Sequence, residues 1–72
     1  MELRKILGRN VRRRRKALGF SQEELAHRAN IDRTWVSAIE RSASSVTVDV
    51  IEKVAQGLEI EPAELLRGAQ KP

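Results

Sequence analysis

The sequence predicts an all-α domain of five short helices. The 72 residues include one Phe, one Trp and no Tyr, too few aromatic side chains for a sheet sandwich, while the abundant Leu, Ala, Glu, Arg and Ile suit helices. Apolar residues recur every three to four positions in successive segments. Residues that start or stop helices stand between them, with Ser21, Asp32 and Thr47 as N-caps and Gly19 and Asn30 as stops.

The first helix is expected over Glu2 to Leu18, where Leu3, Leu7, Val11 and Leu18 draw one stripe with Ile6 alongside. Gly8 weakens it slightly and Gly19 ends it. Ser21 caps the second helix, Glu24 completes a Ser-x-x-Glu capping box, and Phe20 stands where a hydrophobic staple would. Leu25, Ala26 and Ala29 share one face of that helix. Asn30 tolerates the left-handed conformation of a tight turn, and Ile31 plugs it.

Asp32 caps the third helix, 33–41. At 100° per residue, Val36 and Ile39 point inward with Glu40 beside them, and Thr34, Ser37, Ala38 and Arg41 point out together. Trp35 falls at the boundary, a position that suits a half-buried packing ring as well as a contact surface. After a small polar loop, Ser42 to Val46, Thr47 caps a fourth helix whose inner stripe is Val48, Ile51, Val54, Ala55 and Leu58. Gly57 in its last turn costs about 1 kcal/mol relative to Ala. Pro62 opens a short fifth helix to Arg67 that presents Leu65 and Leu66, and 68–72 reads as a tail.

Length and charge bound the function. One domain over 1–67 fits, and a chain of this size buries only roughly 60% of its unfolded surface. With no cysteine and a single histidine, self-association is the expected supplement to stability. His27 has no second His, Cys or acidic cluster at metal-ligand spacing, so neither metal nor cofactor is expected. No glycine-rich phosphate loop, paired inward carboxylates or nucleophile with a base points to an enzyme. Nor is there a membrane span or signal peptide, which gives a cytoplasmic expectation without a small-molecule ligand. Residues 1–41 carry eleven Lys/Arg against five Asp/Glu, a balance of +6, and residues 42–72 carry three against five, a balance of −2. A basic front suits a polyanion.

The stretch Gln22 to Arg41 has the ingredients of a helix-turn-helix: Leu25 and Ala26, then Ala29, Asn30 and Ile31, then Val36 and Ile39. Ala26 is small where the helices cross. From Ile6 to Leu66 the chain resembles the Xre family of phage-repressor-type helix-turn-helix proteins. Asp32-Arg33-Thr34-Trp35, followed by Ser37 and Ile39-Glu40-Arg41, is similar to the controller proteins of restriction-modification systems. The resemblance implies a five-helix lambda-repressor-like DNA-binding domain. One departure is the loop: controller-like sequences often carry Arg-Asn before the fourth helix, and here Ser44-Ser45 stands there.

In such a fold the recognition helix enters the major groove, roughly 12 Å wide. Arg33, Thr34 and Ser37, with Trp35 and Arg41, are the base-facing candidates: Arg33 suits guanine O6 and N7, Thr34 offers a hydroxyl and a methyl, and Ser37 serves either kind of base. Gln22 and Ser21 at the start of the second helix, with Ser44 and Ser45 in the loop, are the phosphate candidates. The run Arg12 to Lys16 fans around its helix, so its members cannot all touch one ligand. Arg15 falls on the inward stripe, and the resemblance implies an ion pair with Glu40. Of the rest, one or two suit phosphates and the others form a solvated face.

Ile60, Leu65 and Leu66, in a region spanning about 58–67, are more apolar surface than a short terminal helix hides. They form the expected dimer contact. A dimer sets two recognition helices about 34 Å apart and calls for a palindromic operator in double-stranded DNA. RNA polymerase is a further candidate partner. The competing reading is a protein-interaction module such as an antitoxin-like domain; an RNA binder lacks its stacking aromatics.

Overall fold

A computed structural model describes residues 3–43 and 45–68. It has five helices, α1 Leu3–Ala17, α2 Gln22–Ala29, α3 Arg33–Glu40, α4 Val48–Gly57 and α5 Pro62–Leu65. The all-α expectation holds, element for element. α2 packs against α3 and α4, α1 against α3 and α5, and α4 against α5. Leu7, Val11, Leu25, Ala26, Ala29, Val36, Ile39, Val54, Ala55, Leu58 and Leu65 form one core at their meeting point. Fully burying a leucine such as Leu25 or Leu58 contributes roughly 1.5 to 3 kcal/mol.

The first four helices end in one way, with a left-handed residue that folds the chain back on the last carbonyls. Gly19 (φ 77°), Asn30 (59°), Ser42 (58°) and Glu59 (62°) hold that position. At each, its own N–H and that of the next residue donate to carbonyls of the last turn: Gly19 to Lys16 and Phe20 to Arg15, Asn30 to His27 and Ile31 to Ala26. The pattern repeats with Ser42 to Ile39 and Ala43 to Ala38, then Glu59 to Gln56 and Ile60 to Ala55. The paired bonds satisfy carbonyls that a helix end leaves open. Gly19 and Asn30 announce such a stop in the sequence. Ser42 and Glu59 do not, because both residue types disfavour positive φ.

Four readings change. Val48, expected on the inner stripe of α4, is 79% exposed; it is the first residue of the helix, and the buried side begins one turn later. Leu65, expected at a dimer surface, is fully buried and belongs to the monomer core. α5 closes at Leu65, before Arg67. Half of the capping box forms: Ser21 Oγ accepts the N–H of Glu24 at 2.9 Å, while the Glu24 carboxylate accepts from Arg28 at 2.7 Å. The Arg28 guanidinium also lies over the Phe20 ring, 4.3 Å from its centroid.

Both glycines inside helices mark close approaches. A Cβ on Gly8 would meet the Ile39 carbonyl oxygen at 2.5 Å and that of Glu40 at 3.1 Å. One on Gly57 would meet Ala29 N and Leu25 Cδ1, each at 3.1 Å. α1 therefore rests directly on the end of α3, and α4 on the end of α2. Two α1 side chains tie the C-terminal helices in place. Asn10 Nδ2 donates to the carbonyls of Leu65 at 2.9 Å and Arg67 at 2.8 Å, and Arg14 Nε to that of Leu58 at 2.9 Å. The Leu65 and Leu58 carbonyls are ones that a helix end leaves open.

Candidate nucleic-acid interface

The local sequence fixes how α3 is presented. Ala26 and Ala29, both buried, let α2 and α3 cross closely, and the Asn30 turn sets the angle between them. Asp32 then caps α3, its carboxylate accepting the N–H of Thr34 at 3.0 Å. That backbone hydrogen bond, followed by the Thr34 side chain and the charge of Arg33, holds the Asp32 carboxyl below the usual carboxylate range. Hydrogen bonding to the charged form favours ionisation. The cap is therefore ionised above an ordinary carboxyl pKa and is lost as pH falls through the lowered one.

With Val36 and Ile39 buried, the opposite side of α3 faces solvent. Arg33, Thr34 and Arg41 are exposed, and Ser37 is half-buried. Arg41 Nε donates to Ser37 Oγ at 3.2 Å, pairing two of the base-facing candidates. Trp35 keeps 38% of its surface exposed, a ring partly covered yet open at its rim. The candidates thus share one accessible helix surface, with hydroxyl, indole and guanidinium groups at its edge.

Behind that surface runs a polar chain through three helices. Arg15 on α1 makes a two-pronged pair with Glu40, Nε to Oε2 at 2.6 Å and Nη2 to Oε1 at 3.0 Å, and donates from Nη1 to the Phe20 carbonyl at 2.8 Å. The two side chains are 11% and 5% exposed. The hydrogen bond to Glu40 raises the Arg15 pKa first of all, burial opposes it, and the charge of Glu40 adds to the rise. Gln22 Nε2 donates to Glu40 Oε1 at 3.2 Å, and Gln22 Oε1 accepts from Arg33 Nη1 at 3.5 Å. Gln22, expected to hold a phosphate, therefore also bridges the buried pair to the exposed Arg33. Sequence reading missed this second role because 18 and 11 positions separate Gln22 from its partners.

The loop candidates are braced from α1. Ser45 Oγ accepts from Arg4 Nη2 at 2.9 Å, and Ser42 Oγ donates to the Arg4 carbonyl at 3.2 Å. Ser44 lies outside the described residues. Ser21 Oγ is occupied as the α2 cap. Of the residues expected at a dimer contact, Leu65 is internal, Ile60 is half-buried against the core, and Leu66 is 37% exposed. Leu66 instead joins Leu3, Leu7, Val46, Val48 and Ile51 around an apolar groove of about 680 Å³. None of the described residues forms a group of three or more His, Asp or Glu able to hold a metal. No described helix is long and apolar enough to cross a membrane.

Comparison with known proteins agrees with this architecture. The helix-turn-helix family matches residues 11–65. A hypothetical transcription factor of Neisseria meningitidis is 41% identical over 70 residues, 97% of this chain and 66% of that protein. Its crystal structure superimposes with a TM-score of 0.88 at 42% identity, over 92% of this chain and 76% of that one. The restriction-modification controller protein C.AhdI of Aeromonas hydrophila gives 0.83 at 40% identity, over 86% of this chain and 94% of that one. C.Esp1396I bound to a 19 base pair DNA duplex gives 0.83 at 31% identity, over 90% and 87%. The chain spans just under two thirds of the Neisseria protein's length.

Proposed function

The chain belongs to the helix-turn-helix family, and from that premise we propose that it is a sequence-specific DNA-binding transcriptional regulator of the restriction-modification controller type. It works as a homodimer on a palindromic operator and regulates genes beside it, its own among them. The observation that carries this reading is the exposed surface of α3, where Arg33, Thr34, Trp35, Ser37 and Arg41 stand together with Arg33 tethered to Gln22. The similarity to a controller protein bound to a DNA duplex supports it. RNA polymerase is the partner such a dimer meets where the operator adjoins a promoter, and the cytoplasm is where both are found.

Selection of bound sites from random duplex DNA supplies the operator and tests palindromy and half-site spacing together. On that operator Arg33→Ala is expected to lose discrimination at one base position by about 1 to 3 kcal/mol, with non-specific binding nearly intact. Equal losses on all sequences would refute base readout by Arg33. Failure of the wild type to bind any duplex at low salt would favour the protein-interaction module instead.

The shape of the apolar groove supports it as the seat of the second copy. Val48, 79% exposed, lines the rim of the apolar groove with Leu3, Ile51 and Leu66. Under a two-fold axis a surface carrying both a knob and a groove is complementary to itself. Val48→Glu changes an exposed first-turn position that tolerates an acid, so folding survives. Sedimentation should then report a monomer where the wild type is a dimer. A dimer of unchanged stability would remove this face from the interface.

A further inference from the structure

The run Arg12 to Lys16 divides in the structure. Arg14 and Arg15 turn to the protein, one on the Leu58 carbonyl and one on Glu40. The remaining cations assemble differently. Lys5, Arg9, Arg12 and Lys16 stand four, three and four positions apart, which is one row along α1. Together with Arg13, Gly8, Glu40 and Ser42 they line a single groove of about 420 Å³. The row covers roughly 16 Å of helix at about 1.5 Å per residue.

We propose that this row is a second polyanion site, which grips the phosphodiester backbone flanking the bases read by α3. The proposal rests on the DNA-binding reading above and extends it to residues outside the helix-turn-helix. Three observations support it. Among the described residues Arg9, Arg12, Arg13 and Lys16 carry no ion pair, although like charges three and four apart on a helix repel one another. A ligand with repeating negative charge relieves that repulsion along the whole row. Glu40, the one acid lining the groove among the described residues, has its Oε2 bonded to Arg15 and its Oε1 to Arg15 and Gln22, so its charge is matched elsewhere. The groove also lies against the end of α3, its floor set by Gly8 resting on the Ile39 and Glu40 carbonyls. A strand that leaves the reading surface past Ser42 meets the row.

The experiment compares wild type with Arg9→Gln/Arg12→Gln in the full chain. Both residues are exposed, so the fold should survive, with the thermal melt unchanged or slightly raised as the repulsion is relieved. Affinity for the selected operator and for a random duplex is measured across a salt series. Each lost phosphate contact lowers the slope of log K against log salt by roughly 0.9, so the variant's slope should be shallower by about 2 on both duplexes, with the operator-to-random ratio unchanged. Trimming the duplex outside the half-sites should remove the same increment from the wild type and nothing from the variant. A variant slope equal to wild type overturns the proposal and leaves the helix-turn-helix reading standing. A changed ratio with an unchanged slope also overturns it. If the wild type binds no duplex at low salt, the underlying reading falls first, and the two failures stay distinct.

Discussion

Glu40→Ala is expected to destabilise the domain by about 3 to 5 kcal/mol, because it leaves Arg15 charged and nearly buried with no carboxylate. The rise in the Arg15 pKa that Glu40 supplies is lost with it, but a guanidinium is too basic to escape by losing its proton. A domain of this size has a total stability of roughly 4 to 11 kcal/mol, so urea unfolding should show a collapse of the midpoint or no folded baseline at all. The double variant Arg15→Met/Glu40→Leu separates charge from packing: replacing both partners by apolar groups of similar volume is commonly neutral or stabilising. If Glu40→Ala unfolds at the wild-type midpoint, the pair does not hold α1 to α3. The double variant serves a second purpose, since it restores the fold but removes the anchor of Gln22. If Arg33 reads a base as proposed, operator discrimination at that base should then be weaker than in wild type.

Gly8→Ala should reverse the sign that helix propensity gives. Alanine in a helix interior gains about 1 kcal/mol over glycine, so local sequence reasoning favours the substitution. The new methyl, however, would sit 2.5 Å from the Ile39 carbonyl oxygen, a backbone atom, with the Glu40 carbonyl at 3.1 Å. Relief requires α1 to move off α3, which stretches the Arg15–Glu40 pair and loosens Leu7 and Val11 in the core. We expect a net loss of about 2 kcal/mol, typical of overpacking against an unyielding neighbour. Chemical denaturation of the purified variant decides it; a gain in stability would mean that the two helices do not touch at Gly8.

The two glycines show where local reading stops. Periodicity placed α1 to α4 because each exposes a polar face and buries an apolar one, and caps such as Ser21, Asp32 and Thr47 act over two or three residues. The same logic registers Gly8 and Gly57 only as weak helix formers, since the carbonyls and side chains that need the space belong to helices about thirty positions away. Leu65 was misplaced for a related reason. A four-residue helix with adjacent leucines does not disclose which one turns inward, and that depends on Asn10 drawing the end of α5 onto α1. For the candidate site, spacing was sufficient to put Thr34 and Arg41 on the exposed side of α3, because an exposed helix face is a local property. The bridge from Glu40 through Gln22 to Arg33 arises only when three helices meet. The Arg15–Glu40 pair came from family likeness, not from spacing.

The Asn10 bonds also bear on when a newly made copy becomes complete. Their acceptors at Leu65 and Arg67 are 55 and 57 positions downstream, and Leu65 is itself a core residue. At about 5 to 20 residues per second of synthesis, the ribosome needs roughly 3 to 11 s between Asn10 and Arg67. Throughout that interval the hydrophobic sides of α1 and α4 lack the partner that α5 supplies, and the core is incomplete. Each new molecule therefore closes its core only after α5 has been made.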